Sequence, residues 1–202
     1  MASANVEVAK AAHHPGPVTD IPKDHMETLK SCLNRCDRIP VRKGTRPNTI
    51  CGPLHIQSSG GGCAKYFPKL INEVLAWPRV ECTPPIVRSS DLISIHLKQA
   101  EGAIGSSAIT SVKEFANVYL DGPTIHLALP LVAAHWAILR GWAEPHYLAS
   151  QGLLPAGTVL LYAPMDESEV EVCQFHFSQA YDRACNQSNG SSPLALPQTL
   201  PR

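Results

Sequence analysis

The sequence lacks the features that would place it in several common classes of protein. No apolar run approaches the roughly 20 residues that span a membrane, and the N-terminus has no apolar segment typical of a secretory signal. The 202 residues include 17 basic and 17 acidic side chains, so the formal net charge is zero. That balance argues against a broad basic surface for nucleic acid. We therefore expect a cytoplasmic protein with neither a membrane nor a nucleic acid as partner.

The sequence also lacks the short motifs that identify common catalytic and cofactor sites. It has no HExxH metal motif, nucleophile elbow or dinucleotide fingerprint, and the glycine-rich residues 58–62 lack the Lys-Ser/Thr ending of a phosphate-binding loop. Its seven cysteines include no CxxC pair, which favours reduced thiols over a disulfide framework. We therefore expect no cofactor and no metal ion. If the protein is an enzyme, we expect acid–base chemistry on a bound small molecule.

Hydrophobic periodicity predicts one α+β domain in residues 23–186, a mostly antiparallel sheet with helices packed on it. Residues 1–22 and 187–202 show no such periodicity, so we expect both tails to be disordered. Further helices are predicted at residues 24–38, 66–77 and 166–185, and further strands at residues 51–56 and 91–98.

The centre of the predicted domain is a strand, a buried helix, a loop and a second strand. Residues 124–129 alternate between polar and apolar side chains, which is typical of a half-buried strand. Residues 131–140 are apolar on nearly all sides, and Gly141 follows where a helix often ends with a positive φ. The loop at residues 142–146 is polar and aromatic, and residues 158–163 form the second strand. Loops held between rigid elements often carry the chemistry of a protein.

Two histidines occupy the polar side of predicted strands. His96 and His126 each alternate with apolar neighbours, so both imidazoles project from one face if the strands share a sheet. His146 follows the buried helix and could reach the same space. Histidine is well suited to proton transfer near neutral pH, although a single strand histidine is more often structural. A basic turn that contains Arg46 could hold an anionic or enolate ligand, or could simply be solvated.

Several short motifs resemble the fungal luciferase family over about residues 41–185. They are Lys43-Gly-Thr-Arg-Pro47, the His96 strand, Thr124-x-His-Leu-Ala-Leu129, Gly141-Trp-x-x-x-His146-x-Leu-Ala149 and Leu161-Tyr-Ala-Pro164 before an acidic helix. The resemblance implies a pocket for a flat, phenolic, polyketide-like molecule, because the luciferases oxidise a styrylpyrone with molecular oxygen and no cofactor. The positions that it marks are Arg46, His96, His126, Trp142, His146 and Tyr162.

Two differences from the luciferases argue against light emission. The luciferases resemble membrane-anchored proteins at their N-terminus, and this sequence shows no such segment. They are also rich in histidine just before the strand that carries His126, whereas residues 116–121 here contain none. We therefore expect a related pocket with different chemistry.

Our leading hypothesis is a cofactor-independent isomerase or cyclase of fungal secondary metabolism, which acts on an aromatic or polyketide-derived molecule. Chalcone-to-flavanone closure and a pericyclic ring closure are two candidate reactions. The predicted catalytic residues are His96 or His126 as base, His146, and Arg46 or Lys98 beside the oxyanion; Trp142, Tyr162, Thr45 and Thr124 are the predicted substrate contacts. The alternatives are a cofactor-free oxygenase of the luciferase type and a non-catalytic ligand-binding protein.

Overall fold

The computed structural model describes residues 34–59, 63–83, 92–98, 113–120 and 122–188. The strands are β1 (Thr49–Ile50), β2 (Ile56–Gln57), β3 (Val80–Thr83), β4 (Leu92–Leu97), β5 (Lys113–Tyr119), β6 (Thr124–Ala128), β7 (Ala143–Pro145) and β8 (Thr158–Tyr162). The helices are α1 (Cys63–Leu75), α2 (Leu131–Leu139), α3 (Tyr147–Ser150) and α4 (Glu167–Ser188), and residues 34–36 are also helical. Within these ranges, none of the helices has both the length and the hydropathy needed to cross a membrane.

Six strands form one sheet in the order β3-β4-β5-β6-β8-β7, and every neighbouring pair in it is antiparallel. The strands β1 and β2 form a separate antiparallel hairpin. The predicted α+β class, with a mostly antiparallel sheet and packed helices, is therefore confirmed. The predicted tails, residues 1–22 and most of 187–202, lie outside the described residues, and α4 continues to Ser188.

Three sequence predictions about local structure are wrong in their details. Residues 51–55 form the turn between β1 and β2 rather than a strand, because His55 has φ +41° and extended pairing cannot pass through it. The predicted loop at residues 142–146 contains β7, an edge strand that pairs only with β8 and tolerates Pro145. Helix α1 begins at Cys63, so Pro68 lies inside the helix and not in its first turn.

One face of the sheet packs against the helices and carries the apolar core. The core strand residues of this face include Ile95, Leu97, Phe115, Ala116, Val118, Ile125, Leu127, Val159 and Leu161. They meet buried side chains of α4, which include Cys173, Phe177 and Ala180, and the small residues of α2, which are Ala133, Ala134 and Ala137. The alternation that predicted β4 and β6 therefore identifies the buried face correctly.

The opposite face of the sheet carries the polar residues. His126 pairs with Asn117, and Asn117 pairs with Ser94, so these three side chains point to the same side. A register shift between Ile95 and His96 leaves one extra residue in β5, and Phe115 and Ala116 both enter the core. His96 therefore shares the polar face with His126, as the alternation predicts.

The two predicted helix ends beside this sheet form as their residues dictate. Gly141 takes φ +78° after α2, and its N–H donates to the carbonyl of Ile138. Asp166 caps α4 by accepting the N–H of Glu169 at 2.9 Å. Glu169 turns back to accept the N–H of Met165 at 2.9 Å, one residue earlier than in a reciprocal capping box.

We predict that His176 makes the fold sensitive to acid. His176 is fully buried in α4, neither ring nitrogen has a hydrogen-bond partner, and burial lowers its pKa to about 4. The unfolded chain therefore binds the proton more readily, so stability falls as pH drops from about 6.5 towards 4, by on the order of 3 kcal/mol. The His176→Leu variant should lose the His176 share of the acid dependence and keep the rest, because two other buried histidines, His126 and His146, also have pKa values of about 4. It should be at least as stable at pH 7, because it buries no unpaired polar atom.

Urea denaturation between pH 4 and pH 8 measures this effect. The matched control is His135→Leu, which changes an exposed histidine of α2 and should keep the acid dependence of the parent protein. Equal pH dependence in the His176→Leu variant and the parent would contradict the assignment.

Candidate active site

The β1–β2 hairpin covers part of the polar face of the sheet. The N–H of Gln57 donates to Oγ1 of Thr124 at 2.9 Å, and the side-chain oxygen of Gln57 accepts the N–H of Ala163 at 3.1 Å. The carbonyl of His55 accepts the ring N–H of His126 at 2.8 Å. The hairpin is therefore attached to both β6 and the end of β8, and it brings His55 to the centre of the polar face.

Three histidines meet under the hairpin, and we call His55, His126 and His146 the histidine cluster. The ring centroids of His126 and His146 lie 4.4 Å apart, those of His55 and His146 lie 5.2 Å apart, and those of His55 and His126 lie 6.4 Å apart. All three side chains are buried. Three imidazoles this close in a low-dielectric interior cannot all be charged.

Backbone hydrogen bonds assign the tautomer of each ring in the histidine cluster. The N–H of Tyr147 donates to Nδ1 of His55 at 3.0 Å, and the N–H of Leu148 donates to Nδ1 of His146 at 3.1 Å. Both rings must therefore carry their proton on Nε2. His126 donates from Nε2 to a carbonyl, so its proton is also on Nε2 and its Nδ1 lone pair is free of the bonds that occupy the other two.

Burial keeps two members of the cluster neutral. It lowers the pKa of His126 to about 4, against the opposing effect of its bond to the His55 carbonyl, and it lowers the pKa of His146 to about 4 as well. Repulsion from the neighbouring imidazoles contributes to both of these shifts. At neutral pH His126 and His146 therefore present an uncharged, polar wall.

Glu144, in the edge strand β7, joins the histidine cluster to the exterior. Its Oε1 lies 2.6 Å from Nε2 of His55, and its Oε2 accepts the hydroxyl of Tyr162 at 2.8 Å. The guanidinium of Arg46 donates from Nη2 to the same Oε2 and from Nε to the oxygen of Tyr162. A buried carboxylate of this kind is stable only because each oxygen has donors.

The pKa values of this network have opposite shifts. Burial raises the pKa of the Glu144 carboxyl, but its hydrogen bonds outweigh burial and hold the pKa below the ordinary value; the donors are Thr49, Tyr162, Arg46 and His55. Burial and the bond to Glu144 raise the pKa of Tyr162 to about 12. An ionised carboxylate and a protonated phenol therefore face each other near neutral pH.

A cleft of about 220 Å³ opens beside Arg46 and Tyr162. Its lining combines two arginines and a phenol with small or apolar residues; the lining residues are Arg42, Gly44, Arg46, Ile138, Gly141, Ala143, Pro145 and Tyr162. Arg42 is itself paired with Glu169 at 3.1 Å, and its guanidinium lies over the rings of Trp142 and Tyr162 at 5.8 and 5.6 Å. The cleft is smaller than the roughly 300–1,000 Å³ of drug-sized sites, so it suits one aromatic ring of a ligand.

The structure brings four of the predicted site residues into this arrangement. Arg46 and Tyr162 line the cleft, and His126 and His146 belong to the histidine cluster behind it. Trp142 is buried, and its ring N–H donates to the carbonyl of Pro40 at 2.6 Å, so it supports the cleft from within the core. Thr124 has its hydroxyl bonded to the hairpin.

The other predicted site residues lie apart from the cluster. His96 is two strands away from His126, about 10 Å at ordinary strand spacing, and its buried Nδ1 has no hydrogen-bond partner. Lys98 follows β4, and its ammonium lies 3.4 Å from Glu81 in β3. The strands β3 and β7 form opposite edges of the sheet, so Lys98 lies far from the cleft. Thr45 is exposed in the segment between the cleft residues Gly44 and Arg46.

Sequence reasoning missed two residues on which the site depends. His55 lies in the turn that was predicted as a strand, and Glu144 lies in the segment predicted as a loop. The signal for Glu144 was an acidic residue between Trp142 and Pro145 in an otherwise apolar region. No pattern in the sequence distinguished His55 from a surface turn histidine.

Within the described part of the chain, no group of three or more His, Cys, Asp or Glu side chains could hold a metal ion. In the histidine cluster, the reason is visible in the hydrogen bonds. Backbone groups already occupy Nδ1 of His55, Nδ1 of His146 and Nε2 of His126, so the rings do not present three lone pairs to one point.

Comparison with known proteins gives one match, to a family model described as the luciferase domain, over residues 113–177. This segment runs from β5 into α4 and includes His126, Glu144, His146 and Tyr162. The predicted resemblance is thereby confirmed for this part of the chain, which excludes Arg46 and His55. No curated protein and no solved structure matches the sequence.

We predict that Glu144→Gln lowers the pKa of Tyr162. The negative charge of Glu144 favours the protonated phenol, so its removal should lower the phenol pKa from about 12 by about 1–3 units. Absorbance titration near 295 nm measures the ionisation of all five tyrosines, and the Tyr162→Phe variant identifies which transition belongs to Tyr162. An unchanged Tyr162 transition in Glu144→Gln would show that the two groups are not coupled.

Proposed function

We propose that this protein is a cofactor-independent isomerase or cyclase that moves a proton within an aromatic or polyketide-derived small molecule. The observation that carries the proposal is the hydrogen bond between Tyr162 and Glu144 at the wall of the cleft. It pairs a protonated phenol with an ionised carboxylate at 2.8 Å, a distance over which a proton can pass. In this arrangement Glu144 would be the base and Tyr162 would pass the proton to it and back. Such a pair suits a reaction that returns the proton it removes.

Ring closure of a phenolic enone illustrates how these residues would act. The substrate phenol gives its proton to the oxygen of Tyr162 while the proton of Tyr162 moves to Glu144. The substrate oxygen then forms a C–O bond to the β-carbon of the enone, and the electron pair moves to the carbonyl oxygen. Return of the proton from Glu144 through Tyr162 to the α-carbon completes an isomerisation that consumes nothing.

Arg46 would stabilise the carbonyl oxygen as it becomes negative. A guanidinium has five N–H groups, and the bonds to Glu144 and Tyr162 use two of them. The side chain is 65% exposed, so its other donors are not buried in the network. A fixed donor contributes about 3–4 kcal/mol in a site that excludes water, and the exposure of Arg46 to solvent makes its contribution smaller.

The histidine cluster would contribute by its neutrality. Neutral His126 and His146 add no positive charge near Glu144. His55, the member bonded to Glu144, accepts an N–H at Nδ1 and so carries a single ring proton, which leaves Arg46 as the one positive group bonded to Glu144 among the described residues. His126 also keeps a free lone pair on Nδ1, which makes it the second candidate for the base. His96 lies too far along the sheet to contact a ligand in the cleft.

A cofactor-free oxygenase is the second candidate function, and the luciferase-domain match favours it. The matched residues include Tyr162 and Glu144, which would deprotonate a phenol as readily for attack by oxygen as for ring closure. The two reactions differ in their need for molecular oxygen.

We expect turnover of a phenolic enone in oxygen-free buffer. 2′-Hydroxychalcone and a hydroxystyrylpyrone are suitable probes, because loss of the conjugated enone is visible by absorbance and an electrode records oxygen uptake. Equal rates in anaerobic and aerated buffer support the isomerase. Turnover that stops without oxygen would favour the oxygenase, and binding without turnover would favour a ligand-binding protein.

The Tyr162→Phe variant should lower kcat by about 10²–10⁴-fold, because it removes the proton shuttle and leaves the ring in place. The matched control is Tyr66→Phe in α1, which removes a hydroxyl far from the cleft and should leave kcat unchanged. Full activity in Tyr162→Phe would contradict the proposed role.

A further inference from the structure

His55 makes hydrogen bonds to three different parts of the fold. Its carbonyl accepts from His126 in β6, its Nδ1 accepts from the N–H of Tyr147 in α3, and its Nε2 meets Glu144 in β7. The residue is 2% exposed and has φ +41°, a backbone conformation that is strained for a non-glycine residue. The strained backbone lets one residue reach all three elements from the hairpin.

We propose that His55 is the positioning residue of the site, which directs one oxygen of Glu144 to Tyr162 and Arg46 at the wall of the cleft and keeps this carboxylate ionised. The role in turnover rests on the proposed function, whereas the effect on Glu144 does not. Nothing in the sequence patterns or in the family match marks His55, which lies outside residues 113–177.

The hydrogen-bond directions carry this inference. Because the N–H of Tyr147 occupies Nδ1, the only ring proton of His55 is on Nε2 and points at Oε1 of Glu144, 2.6 Å away. Oε1 is therefore fixed on the inner side. Oε2 is left to Tyr162 and Arg46, the two residues of the network that line the cleft.

Several groups donate to Glu144, and His55 is the buried donor that approaches from the inner side. Arg46 approaches from the segment before β1, Tyr162 from β8, and Thr49 and His55 from the hairpin. His126 and His146 surround His55 and are neutral. Without the donor on His55, Oε1 would face this wall with one bond fewer, and the carboxylate would hold a proton more readily.

Two substitutions at His55 separate its two ring nitrogens. Gln places an N–H donor near the position of Nε2 and lacks the Nδ1 acceptor, whereas Asn places an acceptor near Nδ1 and cannot reach Glu144. ¹³C NMR of protein labelled at the glutamate carboxyl carbon gives the pKa of each glutamate, and Glu144→Gln identifies the signal of Glu144. Circular dichroism checks that each variant is folded.

We expect the Glu144 pKa in His55→Gln to stay close to that of the parent, and the Glu144 pKa in His55→Asn to rise by about one unit. The size follows because two or three such bonds together lower a carboxyl pKa by about two units. If turnover is found, the apparent pKa of the acid limb of the kcat–pH profile should be higher in His55→Asn than in the parent, with KM little changed. In His55→Gln this apparent pKa should stay close to that of the parent. A Glu144 pKa that is the same in all three proteins, or raised equally in both variants, would overturn the inference.

A third variant tests the arrangement if both His55 substitutions disrupt the hairpin. Tyr147 is the first residue of α3, where proline is well tolerated, and the preceding His146 has φ −61° and ψ 137°, which suits a residue before proline. Tyr147→Pro removes the N–H that occupies Nδ1 of His55 and does not change the His55 residue itself; the Cδ atom of proline takes the place of the amide hydrogen, so the His55 ring must move away from Tyr147. We expect ¹⁵N shifts to show one Nε2–H tautomer for His55 in the parent and a mixture in the variant; an unchanged tautomer would contradict the proposal. If Glu144 responds as expected and no substrate turns over, the positioning role stands and the proposed function fails.

Discussion

The site depends on one buried negative charge, the carboxylate of Glu144. An isolated carboxylate costs many kcal/mol to bury, so the fold must supply a positive charge and enough donors to both oxygens. Arg46 brings the charge, and the neutral donors come from Tyr162 and from two residues of the hairpin, Thr49 and His55. These donors belong to segments that are distant in sequence. The carboxylate therefore holds the basic turn, the hairpin and the sheet edge together, and it fixes the shape of the cleft.

Neutral histidines complete this electrostatic arrangement. A charged imidazole beside Glu144 would compete with Arg46 for the carboxylate and would stabilise its ionised form at the expense of proton transfer. Backbone N–H groups prevent this at His55 and His146 by occupying Nδ1, and burial has the same effect at His126 and His146. The result is a proton donor and a proton acceptor at one wall of a small cleft. Glu144 and Tyr162, the two residues of this wall, both lie within the segment that matches the luciferase domain.

The sequence predicts the sheet better than it predicts the site, and the physical reason is the range of the interactions. Alternation in β4 and β6 and the apolar helix α2 are local patterns, so the buried face and the common side of His96 and His126 follow from them. The contacts of Glu144 join residues that are 18 to 98 positions apart, and no local pattern encodes them. His55 could not be predicted for a second reason. The sequence does not distinguish a strained turn residue with φ +41° from an ordinary turn residue. Tyr162 was found only because the motif around it resembles a known family, whereas Arg46 was also indicated by the basic turn in which it lies.

Neutron diffraction from deuterium-exchanged crystals near pH 7 tests the central claim most directly, because it locates the exchangeable protons themselves. The account predicts deuterium on the oxygen of Tyr162 and on Nε2 of His55, and none on either oxygen of Glu144 or on Nδ1 of His55. Deuterium on Glu144, or on both nitrogens of His55, would contradict it, because the cleft would then lack the ionised carboxylate on which the proposed chemistry depends.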